Sequence, residues 1–456
     1  MRSAAGFAEK STRDALDHIQ HWNSKVNALL ASLPKQALEN AKALDLQAYA
    51  GDWPGPLYGM TVSLKDNIDL AGANTTAASS ILRSNLATRD ATVVERLKQS
   101  GAIIIGKANL HEFAFGPTSQ SQHFGPCLNP WDVRRVAGGS SGGSAVSVAT
   151  GMCTASIGTD TAGSIRIPAA FNNIVGLRPT IGRISNRGSF PLSHAYDTLG
   201  PMACRVTDVA RIFAAIAGVD EEDPYCTGET VYPLTPQKEI DISGLRMGVM
   251  RRFFFEDLDN DLADRLDAAL LIYQRLGVQI VEIDLGDVAI INEKMASCIQ
   301  LADAYAVHKD RLESYRESYG QDLLARLDKG SLITGAQYSE ALYFRQVWRQ
   351  RLRGAFANVD AILSPTTPFP APIITDVEDL NSMHRKDITR YTVAWAFAGV
   401  PCLALPCGHT ERGLPLGMQL TARWSNEAVL FKLGEVFQNN TKHHLLKPDG
   451  FVHDLP

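Results

Sequence analysis

Residues 137–180 read AGGSSGGSAVSVATGMCTASIGTDTAGSIRIPAAFNNIVGLRPT. Glycine, serine, threonine and alanine dominate this segment, and short apolar runs interrupt them. Its first part, GGSSGGS at 138–144, predicts a loop built around a bound group, because glycine tolerates positive φ and lets the backbone approach a ligand closely. The residues that follow predict a small-residue helix at 141–150, a buried strand at 153–157 and a second tight loop at 159–164.

Three motifs together carry a resemblance to a known family. They are SLKDNID at 63–69, GGSSGGS at 138–144 and GTDTAGSIRIPA at 158–169. With this combination the chain resembles the amidase signature family of serine hydrolases, over residues 57–204 and again over 360–422. GGSSGGS alone would be a weak signal, but the joint match is specific.

The resemblance implies a catalytic set. The family's nucleophile falls on Ser164, its bridging serine, held by a cis peptide bond, falls on Ser140, and its lysine falls on Lys65. The spacing between the two serines is also that of the family. The implied mechanism is a relay in which Ser164 gives its proton to Ser140, and Ser140 passes one to Lys65.

The loop around Ser164 also has the composition that amide cleavage requires. Such a reaction needs a nucleophile, a group that removes its proton, and donors for the developing oxyanion. Each oxyanion donor contributes roughly 3–4 kcal/mol in the transition state. Many family members carry glycine at position 162, and alanine there keeps the N–H but would be strained at a positive φ. We predict that the oxyanion hole is formed by the backbone N–H groups of Thr161, Ala162, Gly163 and Ser164.

Lys65 can act as a base only when it is neutral. Its pKa must then fall from about 10.4 to about 7–8, which burial without a carboxylate salt bridge would achieve. The residues predicted to surround it are Thr61, Ser63, Ser140 and Ser164. Asp66, Asp69 or Asp160 would oppose the shift if directed at the ammonium. We therefore predict that Asp160 instead pairs with Arg166 or accepts backbone N–H groups, so that both residues support the loop.

Composition limits the partners of the chain. The formal net charge is −5, and no block of like charges is long enough to bind nucleic acid or a membrane surface. The N-terminal residues lack the apolar core of a signal peptide, and no run approaches about eighteen apolar residues. Seven scattered cysteines indicate reduced thiols, without a disulfide framework or a zinc site. We expect a soluble cytoplasmic protein that acts on a small-molecule amide or carbamate.

Other catalytic motifs are missing from the sequence. Neither HExxH nor GxxxxGK[ST] occurs, and the glycine-rich loop has no lysine after it, so zinc-protease and phosphate-binding functions are not indicated. His111 and His123 lie near the expected site mouth, and we predict structural or substrate-facing roles for them because the family uses no histidine. No metal or organic cofactor is expected.

The resemblance and the periodicity together predict one α/β domain over residues 1–456, with a central mixed, largely parallel sheet covered by helices on both faces. Within it we expect an N-terminal helical arm at 1–55, a catalytic core at 56–218, a variable substrate-shaping region at 219–345 and a completion of the core at 346–456. Apolar periodicity predicts helices at 11–22, 34–49, 92–100, 260–276, 293–315, 388–398 and 426–437. It predicts further strands at 60–65, 102–105, 247–250, 279–283, 361–365, 402–406 and 417–421.

Four functions are consistent with the sequence. The main prediction is a free-standing amidohydrolase that cleaves the C–N bond of small or aryl amides. The alternative is the glutaminase (A) subunit of glutamyl-tRNA amidotransferase, although that subunit usually has SIRQP where this chain has SIRIP, with Ile167 in place of glutamine. Hydrolysis of carbamates (urethanes), ureas or esters is a third possibility, and a binding protein without catalysis is the fourth.

The sequence says least about the substrate and the assembly. Aromatic residues near the loops favour an apolar or aromatic acyl group, and a homodimer is compatible with the family. The aromatic candidates for the acyl pocket are Phe113, Phe115, Phe124, Phe190 and Tyr196.

Overall fold

The structure is a computed structural model that describes residues 6–227, 240–377 and 387–448. The ends of the predicted domain, 1–5 and 449–456, lie outside the described residues. So do residues 228–239, within the predicted variable region, and 378–386, within the predicted completion of the core.

Strands and helices alternate along the described chain. The strands are β1 (Leu29–Ser32), β2 (Thr61–Lys65), β3 (Ile103–Ala108), β4 (Gln120–Ser121), β5 (Gly125–Pro126), β6 (Ala155–Thr159), β7 (Val175–Arg178), β8 (Leu199–Ala203), β9 (Arg246–Val249), β10 (Gln279–Glu282), β11 (Ala361–Pro365), β12 (Cys402–His409) and β13 (Pro415–Ala422). The helices are α1 (Phe7–Val26), α2 (Pro34–Tyr49), α3 (Thr92–Gln99), α4 (Gly142–Ala149), α5 (Arg166–Phe171), α6 (Val206–Ile216), α7 (Arg251–Phe254), α8 (Asn260–Arg275), α9 (Val288–Lys294), α10 (Gln300–Tyr315), α11 (Gln321–Ser331), α12 (Gly335–Phe356), α13 (Val393–Ala398) and α14 (Glu427–Asn440). A π-helical segment, Met295–Ile299, joins α9 to α10, and short 3-10 turns occur at Ser80–Leu82, Glu112–Ala114, Arg316–Ser318, Ile374–Val377 and His443–Leu445.

Eleven of these strands form one mixed sheet in the order β1-β3-β2-β6-β8-β7-β12-β13-β11-β9-β10. Parallel pairing is confined to two blocks, β3-β2-β6 and β11-β9-β10. The other neighbours pair antiparallel, so the sheet is mixed as predicted but less parallel than predicted. Part of the reason is chain length: only five residues join β12 to β13, whereas a parallel crossover needs about a dozen or more.

Helices cover both faces of this sheet, as predicted. The isoleucines of β3 show the division, because successive strand residues point to opposite faces. Ile103 and Ile105 belong to the core formed with α1, α2, α4 and α5, and Ile104 belongs to the core formed with α3, α6, α8 and α14. Helices α9, α12 and α13 enclose a third core, to which β11 contributes Ile362. The predicted α/β domain is therefore confirmed.

Local periodicity located many of the elements, but it predicted no helix at α6, α11 or α12. Helix α2 has the predicted bounds, whereas α13 begins at Val393 rather than 388. The residues before it form turns in which the Thr392 hydroxyl donates to the carbonyl of Ala162, 2.7 Å away. Strand β1 was not predicted, because four residues at the sheet edge are too few to show a period.

A buried ion pair fixes the end of β2. Nζ of Lys107, on β3, lies 2.9 Å from the carboxylate of Asp66, and the two side chains are 1% and 2% exposed. Lys107 also donates to the carbonyl of Asn74 and the hydroxyl of Thr75, both at 3.2 Å. The N–H and hydroxyl of Thr76 donate to the same carboxylate. The carboxylate of Asp66, which follows Lys65 in the sequence, is thus paired with the ammonium of Lys107.

We predict that Lys107→Met lowers the free energy of unfolding by about 3–5 kcal/mol, because it leaves the Asp66 carboxylate buried without a counter-ion. Urea denaturation measures the loss. In the double variant Asp66→Asn with Lys107→Met, no uncompensated charge remains, and most of the stability should return. Equal losses in the single and double variants would contradict this account.

Candidate active site

The site lies at the carboxyl ends of β2 and β6. These two strands are parallel neighbours, with Ser63 opposite Ser156 and Leu64 opposite Ile157, so their last residues meet at one edge of the sheet. Nζ of Lys65 consequently lies 2.6 Å from Oγ1 of Thr159. The sequence did not single out Thr159.

Ser140 reaches the same point from the glycine-rich loop. The peptide bond between Gly139 and Ser140 is cis. Oγ of Ser140 lies 2.7 Å from Nζ of Lys65, and both residues are fully buried. The carbonyl of Ser140 accepts hydrogen bonds from the N–H of His111 and the hydroxyl of Ser119, each at 3.1 Å. The predicted proximity of Lys65 and Ser140 is therefore present in the structure.

Two glycines of this loop are needed for close packing of backbone on backbone. A Cβ at Gly139 would lie 2.8 Å from the carbonyl oxygen of Gly116, and a Cβ at Gly143 would lie 2.3 Å from that of Ala28. Such distances are far inside van der Waals contact. The segment that begins at Gly116 thus supports the glycine-rich loop from behind.

Ser164 stands in the neighbouring loop. Its carbonyl accepts a hydrogen bond from the N–H of Ser141 at 3.2 Å, which holds the two serine-bearing loops side by side. Ser164 is partly exposed, whereas Ser140 is buried. The nucleophile candidate is therefore the more accessible of the two serines.

The surroundings of Lys65 favour its neutral form. Burial lowers the pKa of Lys65 from its ordinary 10.5 to about 7, while the charges of Asp197 and Asp160 act in the opposite direction. Among the described residues, its ammonium forms no salt bridge. Its hydrogen-bond partners are the hydroxyls of Ser140 and Thr159. A large fraction of Lys65 is therefore neutral at neutral pH.

Asp160 is held inside its own loop. Its carboxylate lies 3.0 Å from Nε of Arg166, the predicted partner, and 3.1 Å from Arg178, which was not predicted. It also accepts the N–H of Gly163 at 2.7 Å and that of Ile165 at 3.3 Å. Burial opposes ionisation of Asp160, but the two guanidinium groups outweigh it and hold the pKa of this carboxyl below its usual range.

This arrangement changes the expected oxyanion hole. The N–H of Gly163 donates to Asp160, so it is not available to a substrate oxygen in this structure. The N–H groups of Thr161, Ala162 and Ser164 donate to no protein acceptor within residues 6–227, 240–377 and 387–448. Gly163 takes the positive φ of 139°, and Ala162 does not, so alanine is accommodated without strain. Three of the four predicted donors remain candidates.

Most of the predicted pocket aromatics are core residues. Phe113 and Phe115 are buried in a cluster with Tyr319 and Leu323. Tyr196 is fully buried and stacks on the ring of Phe397. Phe124 is partly buried beneath the guanidinium of Arg83. Only Phe190 among these five residues lines either of two neighbouring cavities.

Those cavities have volumes of about 490 and 260 Å³ and share Ser189, Pro191 and His194. Their common wall is formed by residues 186–197. It is tied to the end of β2, because the side-chain amide of Asn67 donates to the carbonyl of Phe190 at 3.2 Å. Asp69 lines the larger cavity.

Both candidate histidines face carboxylates. Nε2 of His111 lies 2.9 Å from Asp322, and Nε2 of His123 lies 3.5 Å from Glu112. These contacts agree with the first of the two roles predicted for them, structural or substrate-facing. A charged residue inside an apolar strand was the signal that could have identified Arg178, in VGLR, since a buried charge needs a partner. No such local signal marks Asp197.

We predict that Asp160→Ala lowers the free energy of unfolding by about 3–5 kcal/mol, because Arg166 and Arg178 would remain buried without a counter-ion. Denaturant unfolding followed by circular dichroism measures the change. Asp267→Ala is the matched control: it breaks the exposed pair with Arg251, and the expected cost is about 0–1 kcal/mol. If Asp160→Ala cost no more than the control, Asp160 would not support the loop.

Comparison with known proteins identifies the family. The Amidase family model matches residues 10–431. The A subunit of glutamyl-tRNA(Gln) amidotransferase from Symbiobacterium thermophilum (strain DSM 24528 / JCM 14929 / IAM 14863 / T) is 37% identical, over 98% of this chain and 95% of that protein. A structure from work on an unexpected vestigial protein complex, which reveals the evolutionary origins of an s-triazine catabolic enzyme, is 34% identical with a TM-score of 0.90 and covers 96% of each chain.

A further solved structure, described as a crystal structure of amidase, is 31% identical with a TM-score of 0.84 and covers 95% of this chain and 96% of its own. None of the helices in the described ranges is both long and apolar enough to cross a membrane. The match over most of the sequence and the fold shared with these structures show that the chain belongs to the amidase signature family.

Proposed function

We propose that this chain hydrolyses an amide C–N bond through an acyl-enzyme formed on Ser164, with Ser140 and Lys65 as the proton relay. The observation that carries the proposal is Lys65 itself. It is fully buried, its pKa is lowered to about 7, and its Nζ lies 2.7 Å from Oγ of Ser140. A base must have a pKa near the operating pH to be effective, and an ordinary lysine does not.

The proposed steps use these residues in turn. Neutral Lys65 takes the proton of Ser140 as Ser140 takes that of Ser164, and Oγ of Ser164 attacks the carbonyl carbon. The N–H groups of Thr161, Ala162 and Ser164 are the candidate donors to the oxyanion. The C–N bond then breaks, and the leaving nitrogen receives the proton back through the relay. Water attacks the acyl-enzyme by the same route and regenerates Ser164.

Two settings for this chemistry differ in whether the chain works with a partner protein. A free-standing enzyme would act on small or aryl amides, and the same relay would also attack carbamates and esters. A glutaminase subunit would act inside an amidotransferase. The names of the curated relatives, at 34–37% identity across nearly the whole chain, favour the second setting. The structure related to the s-triazine catabolic enzyme also comes from a protein complex. We therefore propose that the chain works with a partner subunit, rather than alone or only as a homodimer.

Ile167 is the feature that weighs against a simple glutaminase. It is 1% exposed and belongs to an apolar cluster with Val136, Phe171, Val377 and Ile388. Its side chain also lies against residues 159–164, the loop that bears Ser164 and is called here the nucleophile loop. A Cβ at Gly163 would lie 2.8 Å from Cδ1 of Ile167. A glutamine at 167 would need polar partners that this cluster does not supply. The substrate of this chain is thus expected to differ from that of proteins with glutamine here.

We expect the purified chain to release one aryl leaving group from a matched amide, ester and carbamate set, and to release ammonia from glutamine if it is a glutaminase. Ser164→Ala should abolish turnover of every substrate, because it removes the nucleophile. Ser144→Ala is the matched control: its buried hydroxyl bonds to no residue in the described chain, so activity should persist.

The relative rates of cleavage of these substrates distinguish a free-standing amidase from a glutaminase subunit. Fast cleavage of aryl amides without glutaminase activity would support a free-standing amidase. Glutaminase activity that appears or increases only with the partner subunits of an amidotransferase would support the alternative. Full activity of Ser164→Ala would refute the proposed mechanism.

We also predict that kcat/KM rises with pH through about 7 and then reaches a plateau. Protonated Lys65 cannot accept a proton, so activity is lost as the pH falls below its pKa of about 7. A pH series with a neutral ester or amide measures the midpoint. A midpoint near 10 would show that Lys65 keeps its ordinary pKa and does not act as the base.

A further inference from the structure

Asp197 connects the nucleophile loop to the wall of the cavities. It lies just before β8 and is 8% exposed. Its carboxylate accepts the hydroxyl of Thr161 on the nucleophile loop. It also accepts the backbone N–H of Leu192 at 2.7 Å and that of Ser193 at 3.0 Å, both in the wall at 186–197. One carboxylate therefore holds two segments that would face the substrate.

Asp197 differs from the other acids near Lys65 because its charge is not matched. Asp160 is paired with Arg166 and Arg178, and Asp66 with Lys107. Asp197 forms no salt bridge with any residue in the described ranges. Of the two carboxylates whose charges raise the pKa of Lys65, it has the larger effect.

We infer that Asp197 is a positioning residue of the proposed hydrolase. Its carboxylate holds Thr161 in place within the nucleophile loop, and its negative charge acts on the ammonium of Lys65. The inference rests on the proposed function of Ser164 and Lys65. It assigns two separable roles to one side chain. The first is mechanical and acts through the hydroxyl of Thr161, and the second is electrostatic and acts on Nζ of Lys65.

The charged groups around Asp197 and Lys65 come from several elements of the fold. Facing Lys65 are Asp197 from the segment before β8 and Asp160 from the nucleophile loop. Behind Asp160 lie Arg166 on α5 and Arg178 on β7, and beyond β2 lies the Asp66–Lys107 pair. Asp303 on α10 reaches the same wall, where the hydroxyl of Ser193 donates to it. Burial raises the pKa of Asp197, and the hydrogen bonds from Thr161, Leu192 and Ser193 lower it, as does the charge of Lys65.

An ionised Asp197 stabilises protonated Lys65 and thus raises its pKa, partly offsetting the effect of burial. Loss of that charge should lower the pKa of Lys65 further. A base with a lower pKa is neutral over a wider pH range but accepts a proton less readily.

The test measures how fast a fluorophosphonate labels Ser164 in the purified full-length chain between pH 5 and 10, with mass spectrometry to identify the labelled residue. In this reaction Oγ of Ser164 bonds to phosphorus, fluoride leaves, and the proton passes to the relay. No knowledge of the natural substrate is needed. Ser164→Ala gives the background, and Asp284→Asn, which removes an exposed carboxylate paired with Arg252, is the control for loss of one charge.

For Asp197→Asn we expect the midpoint of labelling to move by roughly one pH unit to lower pH, with a plateau rate reduced about tenfold or more. Thr161→Val should lower the plateau rate without moving the midpoint, because it breaks the hydroxyl contact and keeps the charge. Thr161→Ser keeps the hydroxyl and should restore most of the rate. Asp284→Asn should match the parent chain.

The outcomes separate this inference from the proposed function. Failure of the parent chain to label at Ser164 would overturn both. Labelling of Ser164 with an unmoved midpoint in Asp197→Asn would overturn the electrostatic role alone. Equal rates for Thr161→Val and the parent would overturn the mechanical role. If Asp197→Asn failed to fold, Asp197→Glu would replace it and should keep the parent midpoint, and the two Thr161 variants would still test the contact.

Discussion

Burial of the Lys65 ammonium among hydroxyl groups is the constraint on which the rest of the site depends. Removing a charged amine from water is costly unless it is paired, and the cost is reduced when the group becomes neutral. Here the partners are the hydroxyls of Ser140 and Thr159, not a carboxylate. A salt bridge would have stabilised the charged form and raised the pKa of Lys65. Two of the surrounding acids are accordingly matched elsewhere, Asp66 by Lys107 and Asp160 by two arginines, whereas Asp197 is not matched by any described residue.

Small side chains make this geometry possible. Between the sheet and α4, the hydroxyl of Ser63 lies 3.0 Å from that of Ser147 and donates to Ser156 at 2.8 Å. Serine fills little volume and can bond to its neighbours, so the helix approaches the strands closely while these three hydroxyls remain paired. The close approach of α4 brings the loop before it, with Ser140, to the end of β2. The glycine and serine content of 137–180 is thus a packing requirement as well as a chemical one.

Features of the fold and site that depend on neighbouring residues could be predicted from the sequence, whereas contacts between residues distant in sequence could not. Helix α2 and strand β11 have the predicted bounds, and the two loops lie where their glycines indicate. The family resemblance brought Lys65 and Ser140 together correctly. Partners distant in sequence were missed: Thr159 at Lys65, Arg178 at Asp160 and Thr392 at Ala162. The N–H of Gly163 was assigned to the substrate because its competing acceptor, Asp160, depends on the folded shape of the loop.

The contrast between Asp160 and Asp197 shows how surroundings divide roles between identical side chains. Both are buried, and both act on Lys65. Two guanidinium groups make Asp160 strongly acidic and tie its charge to the scaffold, whereas burial without a cation raises the pKa of Asp197. The first carboxylate therefore fixes the loop, and the second remains responsive to Lys65 and to the cavity wall. Because the proposed relay is the same in either setting, we expect differences in substrate to arise at that wall and at Ile167, not at Ser140 and Ser164.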